Sequence, residues 1–133
     1  MKISYLVDTD WMIDHLNKVE RVTKKLKELS PSGIALSVIS LAELYEGVYY
    51  SKDPAKSQTV LETFIKDFEI LGIDEEICKV FGKERGRLRQ KGKVVSDFDL
   101  LIASTCLCYR LTILTNNQRH YQMVEGLSIF SLQ

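Results

Sequence analysis

The sequence predicts an α/β fold in which helices cover both faces of a parallel β-sheet. Short apolar segments alternate along the chain with longer segments whose apolar residues recur every three or four positions. Strands that alternate with helices pair in parallel, because each helix carries the chain back to the same end of the sheet. The 133 residues fit one domain, and no linker or low-complexity tract interrupts them. We therefore expect a single domain over residues 1–133.

Five strands and seven helices are predicted in order. Each strand is a short apolar run that ends at a polar residue or a turn, and each helix has an apolar stripe. The Ser-Pro-Ser-Gly sequence at 30–33, the Asp-Pro pair at 53–54 and Gly92 mark helix ends. The predicted strands are residues 3–7, 34–37, 70–73, 112–115 and 127–130, and the predicted helices are residues 10–16, 19–29, 40–50, 60–68, 74–90, 98–109 and 117–124.

The composition is that of an ordinary globular protein. Lys plus Arg and Asp plus Glu both number 18, so the formal net charge is zero, which argues against an extended phosphate-binding face. That argument is weak where clustered carboxylates bind a cation, because the basic residues then carry the outward charge. Three cysteines, two of them in an apolar helix, indicate no disulfide framework and favour the cytoplasm. The N-terminal apolar run is too short for a signal peptide, and no run approaches the ~18 residues of a membrane span.

Three acids stand where functional sites form in parallel sheets. Asp8 ends the first strand, Glu43 is predicted in the first turn of the helix after the second strand, and Asp99 in the first turn of the helix before the fourth. Such sites lie beyond the carboxyl ends of the strands, so these three side chains are expected to meet there. Carboxylates brought together repel one another unless a cation lies among them, and Mg²⁺ or Mn²⁺ takes oxygen ligands of this kind. An ion held in this way can activate water and attack a phosphodiester.

Each acid also has a purely structural explanation. Residues 40–43 (SLAE) and 96–99 (SDFD) have the form of a capping box, in which the acid satisfies backbone N–H groups at a helix start. Asp8 is a common type of turn residue. Capping does not explain why all three should converge on one edge of the sheet. The two histidines, His15 and His120, are far apart in sequence, and a catalytic role is not expected for either.

The segments that contain these acids resemble the PIN-domain VapC toxins. They are residues 5–10 (YLVDTD), 40–47 (SLAELYEG), 99–103 (DLLIA), 114–117 (LTNN) and 126–127 (GL), which run from the first strand to the fifth. The resemblance implies a three-layer α/β/α fold with a five-stranded parallel sheet. It also implies an endoribonuclease that depends on Mg²⁺ or Mn²⁺, is usually a homodimer and is inhibited by a VapB antitoxin.

The resemblance also implies roles for particular residues. The matching positions of Asp8, Glu43 and Asp99 form the metal site, and Thr9 and Thr115 fall where hydrogen bonds tend to support it. Two positions depart from the family pattern, because Asn117 stands where a fourth acid is common and His120 where Asp or Glu often precedes an aromatic residue. Asn117 is expected to offer a carbonyl oxygen to the ion but no charge, which weakens the case for two ions.

Further residues near these motifs have two interpretations each. Asp97 and Asp10 either support the site or begin and cap helices, and the structural role is favoured for both. The basic segment 79–93 includes Arg85 and Arg87, which either guide RNA phosphates toward the acids or lie on a solvated helix face.

Other functions fit the sequence less well. Residues 5–12 (YLVDTDWM) resemble the start of a haloacid-dehalogenase-type phosphatase, but Met12 stands where that pattern has Thr or Val. A receiver-type signalling domain would need a Lys after the later strands, and none follows Thr115 closely. The alternative that remains open is a catalytically weak PIN domain that binds RNA or a protein partner.

Overall fold

A computed structural model, which describes residues 2–133, shows a five-stranded parallel sheet between two helix layers and confirms the predicted fold class. The spatial order of the strands is β3-β2-β1-β4-β5. The strands are β1 (Tyr5–Val7), β2 (Ile34–Ser37), β3 (Glu69–Leu71), β4 (Thr112–Leu114) and β5 (Ile129–Phe130). The helices are α1 (Thr9–Leu16), α2 (Glu20–Leu29), α3 (Val38–Tyr49), α4 (Pro54–Ile65), α5 (Glu75–Gln90), α6 (Asp97–Tyr109) and α7 (Gln118–Tyr121).

The central strand, β1, divides the sheet into two halves. From β1 the chain winds outward through β2 to β3, then crosses back to β4 and β5 on the other side. In register, Val7 lies between Leu36 of β2 and Leu114 of β4, and all three side chains are buried. The strand order reverses at β1, and a crevice for ligands forms beyond the carboxyl end of a sheet at such a point. Asp8 is the first residue past that end.

Alternation along the strands gives the sheet two hydrophobic cores. In β1, Leu6 faces one helix layer and Val7 the other, because successive side chains of a strand point to opposite faces. One core joins the sheet to α5, α6 and α7, and the other joins it to α1, α2, α3 and α4. Two covered faces explain why the strands are continuous apolar runs rather than alternating ones.

Two predicted helix starts are wrong, for local reasons. Helix α3 begins at Val38 because Ser37 is its N-cap, with the Ser37 hydroxyl accepting from Ile39 N. The capping box assigned to residues 40–43 is therefore not formed, and Glu43 lies in the second turn of α3. Helix α4 begins at Pro54, six residues earlier than predicted, because Asp53 caps it and proline suits a first helical position. The Ser96 cap of α6 is formed as predicted.

Among residues 2–133, no helix combines the length and the apolar character that crossing a membrane requires.

Candidate active site

Asp8 is a buried carboxylate at the carboxyl end of the central strand. Only 4% of its surface is exposed, and it is also the N-cap of α1. One oxygen accepts from Thr9 N at 2.9 Å, and the other accepts from the Thr115 hydroxyl at 2.8 Å. Burial raises the pKa of Asp8 to about 6; the Thr115 hydroxyl opposes this shift and the neighbouring Asp10 adds to it. The hydrogen-bond donors to Asp8 are both neutral, so its buried negative charge is one that a nearby cation would stabilise.

Glu43 and Asp8 are linked through Thr9. The Thr9 hydroxyl donates to Glu43 Oε1 at 2.7 Å and lies 2.9 Å from the hydroxyl of Ser40, which is fully buried. Because Thr9 follows Asp8 directly, this contact ties α3 to the end of β1. The structure therefore places the Thr9 hydroxyl against Glu43, and its supporting role at a metal site stays a prediction.

Asp99 contacts two side chains of the short helix α7. Its Oδ1 accepts from the Tyr121 hydroxyl at 3.3 Å, and its Oδ2 lies 3.1 Å from His120 Nδ1. Tyr121 is fully buried, and burial together with the charges of Asp8 and Asp99 raises the pKa of its hydroxyl. The charge of Asp8 also acts on this hydroxyl, so Tyr121 lies close to both carboxylates. The contacts of Asp99 with Tyr121 and His120 were not predicted from the sequence.

One cavity of about 220 Å³ brings these groups together. All three predicted catalytic acids line it, together with Thr9 and Asn117. The other lining residues are Asp10, Ile13 and His120. The central geometric expectation from the sequence, that acids distant along the chain would share one pocket, agrees with this arrangement.

Asp10 lines this cavity and also accepts hydrogen bonds from two backbone N–H groups. One of its carboxylate oxygens accepts from Trp11 N and the other from Asn116 N, each at 2.9 Å. Burial raises the pKa of Asp10, and these backbone donors oppose the shift. Asp10 thereby connects the start of α1 to the residues that follow β4.

Asn116 fixes the loop after β4 to its surroundings. Its side-chain oxygen accepts from Trp11 Nε1 at 3.1 Å and from Leu132 N at 2.9 Å. Trp11 is fully buried, so loss of this acceptor would leave an indole N–H unsatisfied. The next residue, Asn117, is exposed and lines the acidic cavity.

We predict that Asn116→Ala lowers the free energy of unfolding by about 1–3 kcal/mol, the typical cost of an unsatisfied buried donor. Asn117→Ala is the matched control, because it removes the same amide one residue along from an exposed position and should change stability little. Urea denaturation of both variants measures the difference. Equal stability of the two variants would show that the Trp11–Asn116 contact does not stabilise the fold.

Asp97 does not line the acidic cavity, so its predicted supporting role has no counterpart in the geometry. Its side chain is 81% exposed and pairs with Arg85 at 2.7 Å. Residues two apart on a helix point about 200° away from each other, so Asp97 and Asp99 cannot both face the cavity. The interpretation of Asp97 as a helix-start residue is the one that fits.

Arg85 and Arg87, the residues predicted to contact RNA, have intramolecular partners. Besides its pair with Asp97, Arg85 donates to Val95 O at 2.7 Å. Arg87 makes two bonds to Glu84, at 2.9 and 2.6 Å, and donates to Met123 O at 2.7 Å. These contacts join α5 to the start of α6 and to the segment after α7. RNA contact by either arginine stays a prediction.

The donor set of the cavity fits a hard divalent ion in chemistry. Carboxylate oxygens from Asp8, Glu43 and Asp99 and an amide oxygen from Asn117 are ligands that Mg²⁺ and Mn²⁺ accept. As they stand, no three His, Cys, Asp or Glu side chains within residues 2–133 are close enough together to hold an ion. Glu43 is turned toward Thr9, and Asp99 toward Tyr121 and His120. Side-chain rotation would therefore accompany binding.

The α/β/α sandwich and the acids clustered at the carboxyl end of its central strand agree with the fold and site that the resemblance to PIN-domain proteins implies. A model of the PIN domain family matches residues 5–126, which is most of the chain. The chain thus belongs to the PIN-domain family, in the group of the VapC proteins.

Relatives and solved structures agree with this assignment. Ribonuclease VapC1 of Methanocaldococcus jannaschii is 35% identical over 94% of this chain and 85% of its own length. The tRNA(fMet)-specific endonuclease VapC of Salmonella typhimurium is 30% identical over 96% of both chains. In structure, the chain resembles a chain of VapBC2 from Rickettsia felis, which was crystallised with a DNA fragment from its promoter. The TM-score is 0.92 at 30% identity, and the match covers 98% of this chain and 100% of the other.

Proposed function

We propose that the protein is a metal-dependent endoribonuclease and the toxin of a VapBC-type toxin–antitoxin pair. The observation that carries the proposal is the shared cavity of Asp8, Glu43 and Asp99 at the end of β1, in a chain of the VapC group. The relatives' names, ribonuclease and tRNA(fMet)-specific endonuclease, support RNA as the substrate class. We expect the protein to act in the cytoplasm.

The positions of the cavity side chains suggest a role for each in binding the ion or in orienting a ligand. Asp8, Glu43 and Asp99 would bind Mg²⁺ or Mn²⁺ through their carboxylates, and Asn117 would add its amide oxygen. The bound ion would activate water and stabilise charge on the leaving oxygen of the phosphodiester. Thr115 donates to Asp8 and would keep this carboxylate in place, whereas Glu43, which accepts from Thr9, would turn toward the ion when it binds. We assign no separate general base.

Asp99→Asn tests the role of this cavity in RNA cleavage. We expect cleavage to fall about 10- to 100-fold, because an amide keeps one oxygen donor but loses the negative charge that attracts the cation. Asp97→Asn is the matched control, since it makes the same change two residues earlier on α6, outside the cavity. Cleavage of a single-stranded RNA at fixed Mn²⁺ concentration measures both variants. Equal cleavage by Asp99→Asn and wild type would refute the proposed site.

We further propose that a VapB-type antitoxin binds this chain and that the chain forms a homodimer. An apolar groove of about 370 Å³ between α1, α3 and α4 shares Ile13 and Glu43 with the acidic cavity. A peptide held in this groove by Leu44 and Val48 would reach the acids and obstruct substrate. Inhibition of RNA cleavage by the product of the adjacent gene tests the antitoxin, and light scattering of the purified chain tests the dimer. An uninhibited enzyme or a monomer would contradict the corresponding part.

A further inference from the structure

His120 brings a nitrogen donor into an otherwise oxygen-lined cavity. Its Nδ1 lies 3.1 Å from Asp99 Oδ2, and the ring is about half exposed where it borders the cavity. The Tyr121 hydroxyl holds the other oxygen of Asp99, so Oδ2 is the oxygen turned toward the imidazole. The only other histidine of the sequence, His15, lies elsewhere, against Thr23 and Phe64.

The separation of these two atoms matches that of neighbouring ligands on one metal ion. Mn²⁺ and Mg²⁺ in proteins are commonly six-coordinate, with ligands about 2.1 Å from the ion at right angles, and two such ligands are about 3.0 Å apart. Nδ1 of His120 and Oδ2 of Asp99 are 3.1 Å apart. An ion bound by both atoms would lie to one side of the line that joins them, so the two side chains would turn toward it while their separation stayed nearly the same.

We propose that His120 is a metal ligand that binds through Nδ1 beside Asp99 and makes the site prefer Mn²⁺ to Mg²⁺. This inference rests on the proposed function, because it concerns the same metal site. An imidazole nitrogen is a softer donor than a carboxylate oxygen, and it binds Mn²⁺ and the later transition metals more readily than Mg²⁺. The alternative is that His120 only pairs with Asp99 and leaves the ion to oxygen ligands.

Pulsed electron paramagnetic resonance of the Mn²⁺-loaded protein tests the bond directly. A coordinated imidazole gives nuclear modulation from its nitrogen, which changes in protein labelled with ¹⁵N-histidine. We expect this signal in wild type and in the His15→Gln control, and its loss in His120→Gln. Bound Mn²⁺ without a histidine signal would overturn the role of His120 while leaving the metal site intact. No Mn²⁺ binding, or binding that Asp8→Asn does not weaken, would overturn the proposed site as well.

Calorimetric titration with Mn²⁺ and with Mg²⁺ tests the preference. We expect His120→Gln to weaken Mn²⁺ binding at least about tenfold and Mg²⁺ binding less, so that the ratio of the two affinities falls. His120→Glu, which supplies an oxygen donor in the same place, should lower that ratio while keeping Mg²⁺ binding. An unchanged ratio in both variants would show that the imidazole does not contribute to the choice of metal.

Discussion

Asp8→Asn should abolish RNA cleavage and at the same time make the metal-free protein more stable. We expect cleavage to fall more than about 100-fold, the upper end of losses seen when only a supporting group of a metal site is removed. Asp8 is the most buried of the three predicted acidic ligands, and hydrogen bonds from Thr9 N and the Thr115 hydroxyl fix its carboxylate at the end of β1.

The gain in stability follows from the burial of the carboxylate. Burial raises the pKa of Asp8 from 3.8 to about 6, which corresponds to about 3 kcal/mol against folding when the group is ionised. An Asn side chain can still accept from Thr9 N and can donate to the Thr115 hydroxyl, so the replacement loses the charge but not its contacts. We therefore expect the variant to be more stable at pH 8 by up to about 3 kcal/mol.

The pH dependence of this gain has a definite sign. Below pH 4 the Asp8 carboxyl is protonated in both the folded and the unfolded wild type, so the variant has no advantage. Between pH 4 and 6 the unfolded chain ionises first, and the stability of the wild type falls relative to that of the variant. Urea denaturation in the presence of chelator measures the difference, with the exposed Asp67→Asn as the control. A variant less stable than wild type at pH 8 would show that the buried charge of Asp8 does not destabilise the folded protein.

Removal of divalent ions should reduce RNA cleavage to background and lower the melting temperature. The carboxylates of Asp8, Glu43 and Asp99 repel one another without a cation, and a ligand that binds only the folded state stabilises it. At an ion concentration about 100 times the dissociation constant, we expect about 2.7 kcal/mol of stabilisation. Chelation followed by Mn²⁺ addition, with RNA cleavage and melting temperature recorded at each step, measures both effects.

The control for this experiment is the Asp8→Asn variant, whose melting temperature should not respond to Mn²⁺. Ca²⁺ provides a second control, since it prefers larger and more flexible oxygen sites and should restore cleavage poorly. Cleavage that continues after exhaustive chelation would contradict metal dependence. A melting temperature that rises equally in wild type and variant would place the ion elsewhere.

The positions of the principal acids were predictable because they depend on topology alone. Strand and helix periodicity located Asp8, Glu43 and Asp99 relative to the sheet, and parallel pairing sends these positions to one edge. The resemblance suggested supporting roles for Thr9 and Thr115; their hydroxyls contact Glu43 and Asp8, and those roles stay predictions. The order of strands and helices along the chain is therefore enough to predict where most of this candidate site lies.

Side-chain direction was not predictable in the same way. Asp97 was grouped with Asp99 because the two are close in sequence, but the helix turns Asp97 toward Arg85. Tyr121 and His120 were missed as contacts of Asp99, because the short helix α7 has too few residues to show which face is buried. The sequence signal that could have indicated this contact is a tyrosine a few residues after the Thr-Asn-Asn segment at the end of a strand.

We expect the three acids at the carboxyl edge of the sheet to bind one divalent cation. Anomalous diffraction from crystals grown with Mn²⁺ tests it most directly, because the peak locates manganese independently of any assumed ligand. We expect a peak within about 2.2 Å of carboxylate oxygens of Asp8 and Asp99, with Glu43 beside it. Crystals that contain manganese elsewhere and none in this cavity would show that these acids do not form the metal site.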